Sequence, residues 1–328
     1  MKEDFVINKV DSNKIRKELL NEIKNVTLKI ITVFLLLVVL ILTQNQISLA
    51  HSPGQLNACA IGNGAFNLRY VPGPAGFPTG TDDSGICTAV NYGYWMADTE
   101  VTYNLWAIVR DWATSADLGA GRYFFQNFGV VGDGTGTGTT DRHPVTRVGW
   151  RDAMVWCNAL TEYYNSQNNT NYTCVYTYYG TIIRDSRDSY ATVCDSAVPA
   201  SGAKGFRLPT SMEWDLVARY QNGTTWTPGS YASGAAANYL DAAATGAVAW
   251  YQGNSGNTTH PVGTKAPNTL GLYDMSGNVG EYCFDLFSSS TRVFRGGAYS
   301  TTQPSIRLDQ IWADGGAQSY IGFRLVRN

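Results

Sequence analysis

A loop-rich fold of short strands and a few helices, packed on aromatic side chains, is what this chain predicts. Three observations carry that expectation. The 328 residues include 34 glycines, which disfavours a helical bundle. Twenty tyrosines and nine tryptophans offer large, partly polar packing surfaces. Strand-like alternation gives way repeatedly to helical spacing, and no linker after Phe66 is long enough to divide the chain. With 15% charged residues and a formal net charge of −2, there is no basic field of the kind that attracts nucleic acid.

The elements follow in order. Ile30 to Leu42 is apolar except for Thr32. It is short of the ~20 residues a membrane span needs and suits the core of an export signal. Ser48-Leu49-Ala50 offers a small-x-small cleavage site before His51. Residues 1–50 are therefore expected to be an export segment, with a membrane-tethered precursor as the alternative. Export to the periplasm, the bacterial surface or the medium is the expected localisation, and any membrane contact is expected through this segment only. Residues 51–65 are expected to be a linker, and residues 66–328 one domain.

Phe66 to Gly80 alternates, then breaks into Pro and Gly: a strand entering turns. Tyr94 to Thr114 begins as a strand and turns helical at Thr102, a capping residue. Leu105, Trp106, Val109 and Trp112 then fall at helical spacing. His143 to Asn165 repeats the plan, with Ala153, Val155, Trp156, Leu160 and Tyr163 as the buried stripe. A third helix is expected from Pro209 to Tyr220, capped by Thr210 or Ser211, with Glu213 and Asp215 in its first turn. Residues 166–204 and 221–250 are expected to be long surface loops. Val131 to Asp141 (VGDGTGTGTTD) is expected to be a mobile loop; no GK[ST] follows it, so it does not predict a phosphate loop.

Six cysteines (Cys59, Cys87, Cys157, Cys174, Cys194, Cys283) contain no CxxC pair, and there are three histidines. That argues against zinc. Cys174 with Cys194 and Cys59 with Cys87 are possible disulfides, buried free thiols the equal alternative.

Seven motifs stand in order: VPG (Val71 to Gly73), YWMADTEVT (Tyr94 to Thr102), HPVTRVGWRDAMVWCNAL (His143 to Leu160), GFRLPTSMEWDLVAR (Gly205 to Arg219), THPVGTKAPNTLGLYDMSGNVGEY (Thr259 to Tyr282), RGGAY (Arg295 to Tyr299) and IGFRLVR (Ile321 to Arg327). Together they resemble the formylglycine-generating enzyme (sulfatase-modifying factor) family over most of the chain. The resemblance implies an α+β fold with a C-type-lectin-like core, little regular secondary structure and long loops. It also implies copper-dependent oxidation of a sulfatase cysteine by two cysteines after the Gly-Gly. Thr301 and Ile306 occupy those positions here, and no cysteine follows Gly296. Copper(I) needs soft thiolate ligands, so no copper is expected and the chain is read as leaning away from catalysis.

The same resemblance implies a structural calcium ion held by Asp274, Gly277, Val279 and Glu281; oxygen ligands of this kind suit Ca²⁺. Gly280 and Tyr282 stand where the family usually has Trp, which predicts altered packing there. Between the frames RGG and IGFR lie Tyr299, Ser300, Thr301, Gln303, Ser305, Asp309, Gln310, Trp312, Asp314, Gln318 and Tyr320. Aromatic anchors among small polar partners resemble a binding surface. They are the expected ligand-binding residues for a protein or glycan partner. Some exported relatives resemble variable proteins of diversity-generating retroelements, which rewrite this segment. An oxidase with an altered site and a structural envelope protein are the alternatives.

Overall fold

The computed structural model describes residues 12–44, 51–135 and 140–328. It divides into two compact units, one ending at Ala50 and one from His51 to Asn328. In the first, the apolar run lies within helix α1 (Ser12–Gln44). Among the described residues no helix is long and apolar enough to cross a membrane. The expected cleavage site at Ser48 to Ala50 lies outside the described residues, as do residues 136–139 of the glycine-rich loop.

The second unit is built on two sheets. The first contains β1 (Leu56–Ile61), β2 (Gly64–Val71), β3 (Tyr94–Ala97), β4 (Phe206–Arg207) and β9 (Val326–Arg327). Their order is β1-β2-β3-β9-β4, antiparallel throughout. The second contains β5 (Gly280–Leu286), β6 (Arg292–Arg295), β7 (Trp312–Asp314) and β8 (Ile321–Gly322). Its order is β7-β6-β5-β8, with only the β5–β8 pair parallel. The α+β expectation holds.

One boundary needs correcting. Residues 51–65 are not a free linker: β1 pairs with β2 from Leu56↔Arg69 to Ile61↔Gly64. A two-residue turn joins the strands, with Gly62 at φ 49° in its first position, a usual hairpin solution. Cys59 and Ile61 are buried. The alternation is hidden in sequence because small residues occupy half of β1.

Three further helices match their sequence signals. Helix α2 (Tyr103–Thr114) is capped by Thr102, whose hydroxyl accepts the Leu105 N–H at 3.2 Å. Helix α3 (Trp150–Asn168) buries all five residues of its expected stripe. The two helices meet through stacked Trp106 and Trp156, ring centres 5.8 Å apart, with Phe323 edge-on to both. Helix α4 (Ser211–Arg219) is capped by Thr210 rather than Ser211. The Thr210 hydroxyl accepts the Glu213 N–H, and the Glu213 carboxylate accepts the Thr210 N–H in return, a reciprocal capping box. Residues 166–204 and 221–250 are less irregular than expected. They contain short strands (Tyr176–Tyr178, Thr181–Ile182) and helix α5 (Ala242–Val248), which Asp241 caps. All six cysteines are unpaired, and all but Cys87 are buried. Neither sequence-suggested disulfide forms.

The sheets are tied together by Arg324, which is fully buried. Its Nε and Nη2 donate to the two oxygens of Glu281 on β5 at 2.7 and 2.5 Å. Nη1 donates to the Ala97 carbonyl on β3, and Nη2 also reaches the Tyr273 carbonyl. The Trp214 indole N–H of α4 donates to Glu281 Oε2 at 2.7 Å. Removing one partner of such a pair leaves a buried, uncompensated charge. Arg324→Leu is expected to lower unfolding free energy by about 3–5 kcal/mol, read by urea titration. The double variant Glu281→Met, Arg324→Leu is expected to recover much of that loss.

Candidate functional site

The segment expected to bind ligand begins at a backbone corner that only glycine fits. Gly296 and Gly297 have φ of 92° and 68°, a region that costs other residues strain. A Cβ on Gly297 would lie 2.8 Å from the Ser305 carbonyl oxygen. The corner turns the chain from β6 into two stretches with different fates.

The first stretch is held against the body of the fold. Tyr299 is buried, its N–H donating to the Asn278 carbonyl and its own carbonyl accepting the Ser255 hydroxyl. The Thr301 hydroxyl closes a turn on Ala298. Gln303 donates to the Tyr239 carbonyl. Ser305 and Thr302 share a hydroxyl hydrogen bond of 3.1 Å. Ile306 is fully buried with Ala232, Val248, Ala249 and Tyr251. Asp309 has no side-chain exposure and faces Arg307 at 3.3 Å and Gln310 at 3.0 Å. The expected single binding face is therefore corrected: Tyr299 and Asp309 are structural, and Ser300 is only half-buried beside them.

The second stretch is open to solvent. Trp312 on the edge strand β7 is 36% exposed. Its ring stacks on Phe294 of β6 at 6.5 Å, and Phe294 also meets Tyr320 at 6.4 Å. Asp314 draws the segment together. Its Oδ1 accepts the Gly316 N–H at 2.6 Å and the Gln318 side-chain amide at 3.3 Å, and its Oδ2 accepts the Tyr320 hydroxyl at 3.4 Å. Burial, and then the Asp314 charge, raise the Tyr320 phenol above its ordinary pKa. The phenol therefore remains a neutral donor at physiological pH.

Beneath this cluster lie Gly280 and Tyr282. A Cβ on Gly280 would meet the Phe294 ring at 2.6 Å, so Phe294 occupies the space a larger residue at 280 would fill. The Tyr282 hydroxyl donates to the Gly316 carbonyl.

Asp314 and Gly316 also line a polar cleft of about 290 Å³. Its other walls bring in residues that the sequence did not single out for function: Trp150, Arg151, Asp195 and Arg292. The Arg292 guanidinium lies 3.5 Å from the centre of the Trp150 ring, a cation–π geometry. Burial, offset in part by Asp195, lowers its pKa. Arg151 pairs with Asp195 at 2.7 Å and faces Asp188 at 3.5 Å. Asp152 closes the floor, accepting the Gly149 N–H and the Asn127 amide at 2.8 Å each. Burial raises its carboxyl pKa. These residues come from α3, the loop before it, the helical turns over Asp188–Asp195, and β6, far apart in sequence, so only the fold assembles them.

Of the four residues expected to hold calcium, Glu281 has both carboxylate oxygens engaged by Arg324 and Trp214. Asp274 alone keeps an unpartnered oxygen, Oδ1.

Comparison with known proteins places this architecture. The sulfatase-modifying factor enzyme 1-like domain family matches residues 77–328. The chain belongs to that family. Over 222 residues it is 29% identical to the chaperone protein LppX of Paenibacillus barcinonensis, covering 57% of this chain and 70% of that protein. It is 28% identical over 187 residues to the formylglycine-generating enzyme of Thermomonospora curvata, covering 54% of this chain and 43% of that enzyme. Among solved structures, Treponema denticola variable protein 1 superposes with a TM-score of 0.63 at 26% identity. That match covers 83% of this chain and 98% of that one. Relatives named for a chaperone, a formylglycine-generating enzyme and a variable protein show that membership of the family does not by itself fix the function. Thr301 and Ile306, which the resemblance set against the oxidase cysteines, are here a turn-closing hydroxyl and a core side chain. Gly280→Ala is expected to push Phe294 aside. It should cost about 1–3 kcal/mol, as overpacking does, and shift tryptophan emission, both measurable in one urea titration followed by fluorescence.

Proposed function

We propose that this protein is a non-catalytic, exported member of the family that binds a polar ligand, protein or glycan. The binding surface joins Trp312, Asp314, Gln318 and Tyr320 to the Trp150–Arg292 cleft. The observation that carries the reading is Asp314, which organises the exposed aromatic cluster and also lines the cleft. Exposed aromatic rings provide contact area at low conformational cost, and the charged walls provide orientation. The absence of thiolates after Gly296 supports a function other than the copper oxidase chemistry.

A glycan array and a displayed peptide library would identify the ligand class. Replacing Trp312 and Tyr320 together by Ala is expected to weaken binding about 30-fold, the equivalent of ~2 kcal/mol for aromatic anchors, with near-ultraviolet circular dichroism unchanged. Full binding by that folded variant would refute the assignment. Copper-dependent formylglycine formation on a sulfatase-type cysteine peptide would instead establish the altered-enzyme alternative. If wild type binds neither probe set, the structural envelope reading gains.

Likeness to a variable protein favours a second, compatible reading, in which a retroelement diversifies the segment. Deep sequencing of the gene's 3′ end in one cell population is then expected to show substitutions concentrated between Ala298 and Tyr320, at adenines. The buried positions Tyr299, Ile306 and Leu308 are expected to stay constant. A clonal segment would remove this reading and leave a fixed binder.

A further inference from the structure

One cavity of the second unit belongs to neither part of the proposed binding surface. It measures about 560 Å³ and is walled by Phe124, Tyr178, Tyr179, Ile182, Tyr190 and Val193. That volume lies within the ~300–1,000 Å³ usual for sites that take a small molecule. Phe124, Tyr179 and Tyr190 are all exposed. Exposed apolar surface gathered into one concavity and bordered by polar groups marks a binding groove.

The backbone at Tyr179 points the same way. A two-residue turn, Tyr179-Gly180, joins the strands Tyr176–Tyr178 and Thr181–Ile182, with Tyr178 paired to Thr181. Tyr179 has φ 46° and Gly180 φ 79°. Asn is the usual first residue of such a turn, because a bulky residue is strained there. Burial does not offset the strain, since Tyr179 is 92% exposed. Its ring lies edge-on to Tyr178 at 4.6 Å, which extends the aromatic wall outwards. Strain held at an exposed aromatic residue is a pointer to function.

The charged groups of the groove do not balance. Arg122, Arg184 and Asp185 line it. Asp185 is held by Arg187 through two contacts of 2.6 and 3.0 Å, and the Arg187 guanidinium lies 4.3 Å from the centre of the Phe124 ring. Glu162 serves both of the other guanidinium groups. It accepts Arg184 Nη2 at 2.6 Å and faces Arg122 Nη2 at 2.9 Å. Three arginines therefore face two carboxylates. Arg122 is the least committed of them, with its side chain 53% exposed. One positive charge beside an apolar groove fits a ligand with an apolar body and a single anionic head. A glycan would leave the apolar walls unmatched, and a flat bilayer surface would not enter a concave groove.

We propose that this groove is a second ligand site, which takes a small amphipathic carboxylate of the fatty-acid kind. The chain lies along Phe124, Ile182 and Tyr190, and the carboxylate meets Arg122 in a charge-assisted contact. The assignment is independent of the polar ligand at Trp312.

Calorimetric titration of the full chain with dodecanoate, held below its micellar concentration, tests it. Wild type is expected to bind one equivalent with a Kd of about 10 µM, within what ligand efficiency allows a molecule of this size. Arg122→Gln should weaken dodecanoate about tenfold, the equivalent of one charge-assisted hydrogen bond, and leave uncharged dodecanol within twofold. Arg122→Lys should restore most of the loss. Tyr190→Ser should weaken both ligands. Both positions are exposed, so near-ultraviolet circular dichroism should not change. Replacing Trp312 and Tyr320 together by Ala should leave dodecanoate binding as it is. The proposal is overturned if wild type shows no saturable binding, if it binds dodecanol as tightly as dodecanoate, or if it binds anionic phosphatidylglycerol vesicles but not monomeric dodecanoate. It is overturned equally if dodecanoate binding survives intact in both Arg122→Gln and Tyr190→Ser, which would place the ligand on the apolar helix α1 or elsewhere.

Discussion

The bidentate contact between Arg324 and Glu281 is the constraint on which the rest of the second unit depends. One guanidinium joins a carboxylate on the second sheet, a carbonyl on the first and the loop carbonyl of Tyr273. The indole of Trp214 brings helix α4 to the same carboxylate. A buried pair of this kind adds little net stability compared with an apolar replacement, but it is intolerant of a missing partner. Its value here is positional. Arg presents its donors in a fixed plane, so the two sheets and α4 meet in one arrangement. Phe323, the residue before Arg324, closes the Trp106–Trp156 stack. The polar tie and the aromatic core are thus neighbours in sequence and in space.

A frame fixed in this way can carry different chemistry on the segment between its motifs. The oxidase positions show how such a change is accommodated. Ile306 buries its side chain among Ala232, Val248, Ala249 and Tyr251, where a fully buried side chain of this type contributes roughly 1.5–3 kcal/mol. Thr301 closes a turn on Ala298. Both positions do structural work in the same stretch that stitches Tyr299 and Asp309 onto the fold. The edge strand β7 and the turn after it are left with exposed and half-buried aromatic and polar side chains.

Gly280 shows how one small residue reshapes that surface. Its missing side chain admits Phe294, and Phe294 packs with both Trp312 and Tyr320. An aromatic cluster at a sheet edge is normally a liability. Here Asp314 and the charged cleft walls border it, which disfavours pairing with another strand.

The helices and their caps were legible in the sequence because each rests on local rules. Thr102 and Thr210 cap through bonds three residues long, and the α3 stripe repeats at helical spacing. The α+β class was legible through the seven ordered motifs. Strand β1 was missed because small residues blur its alternation. The segment between the RGG and IGFR frames, uniform in composition, was read as one face; the tertiary structure divided it. Whether Tyr299 or Asp309 meets water depends on what lies across from it, Asn278 and Ser255 for one and Arg307 for the other, and burial of this kind leaves no local trace. The cleft of Trp150, Arg292 and Asp195 likewise exists only where distant segments converge. Local hydrogen bonding and periodicity determined the elements; long-range packing decided which polar groups were left free to act.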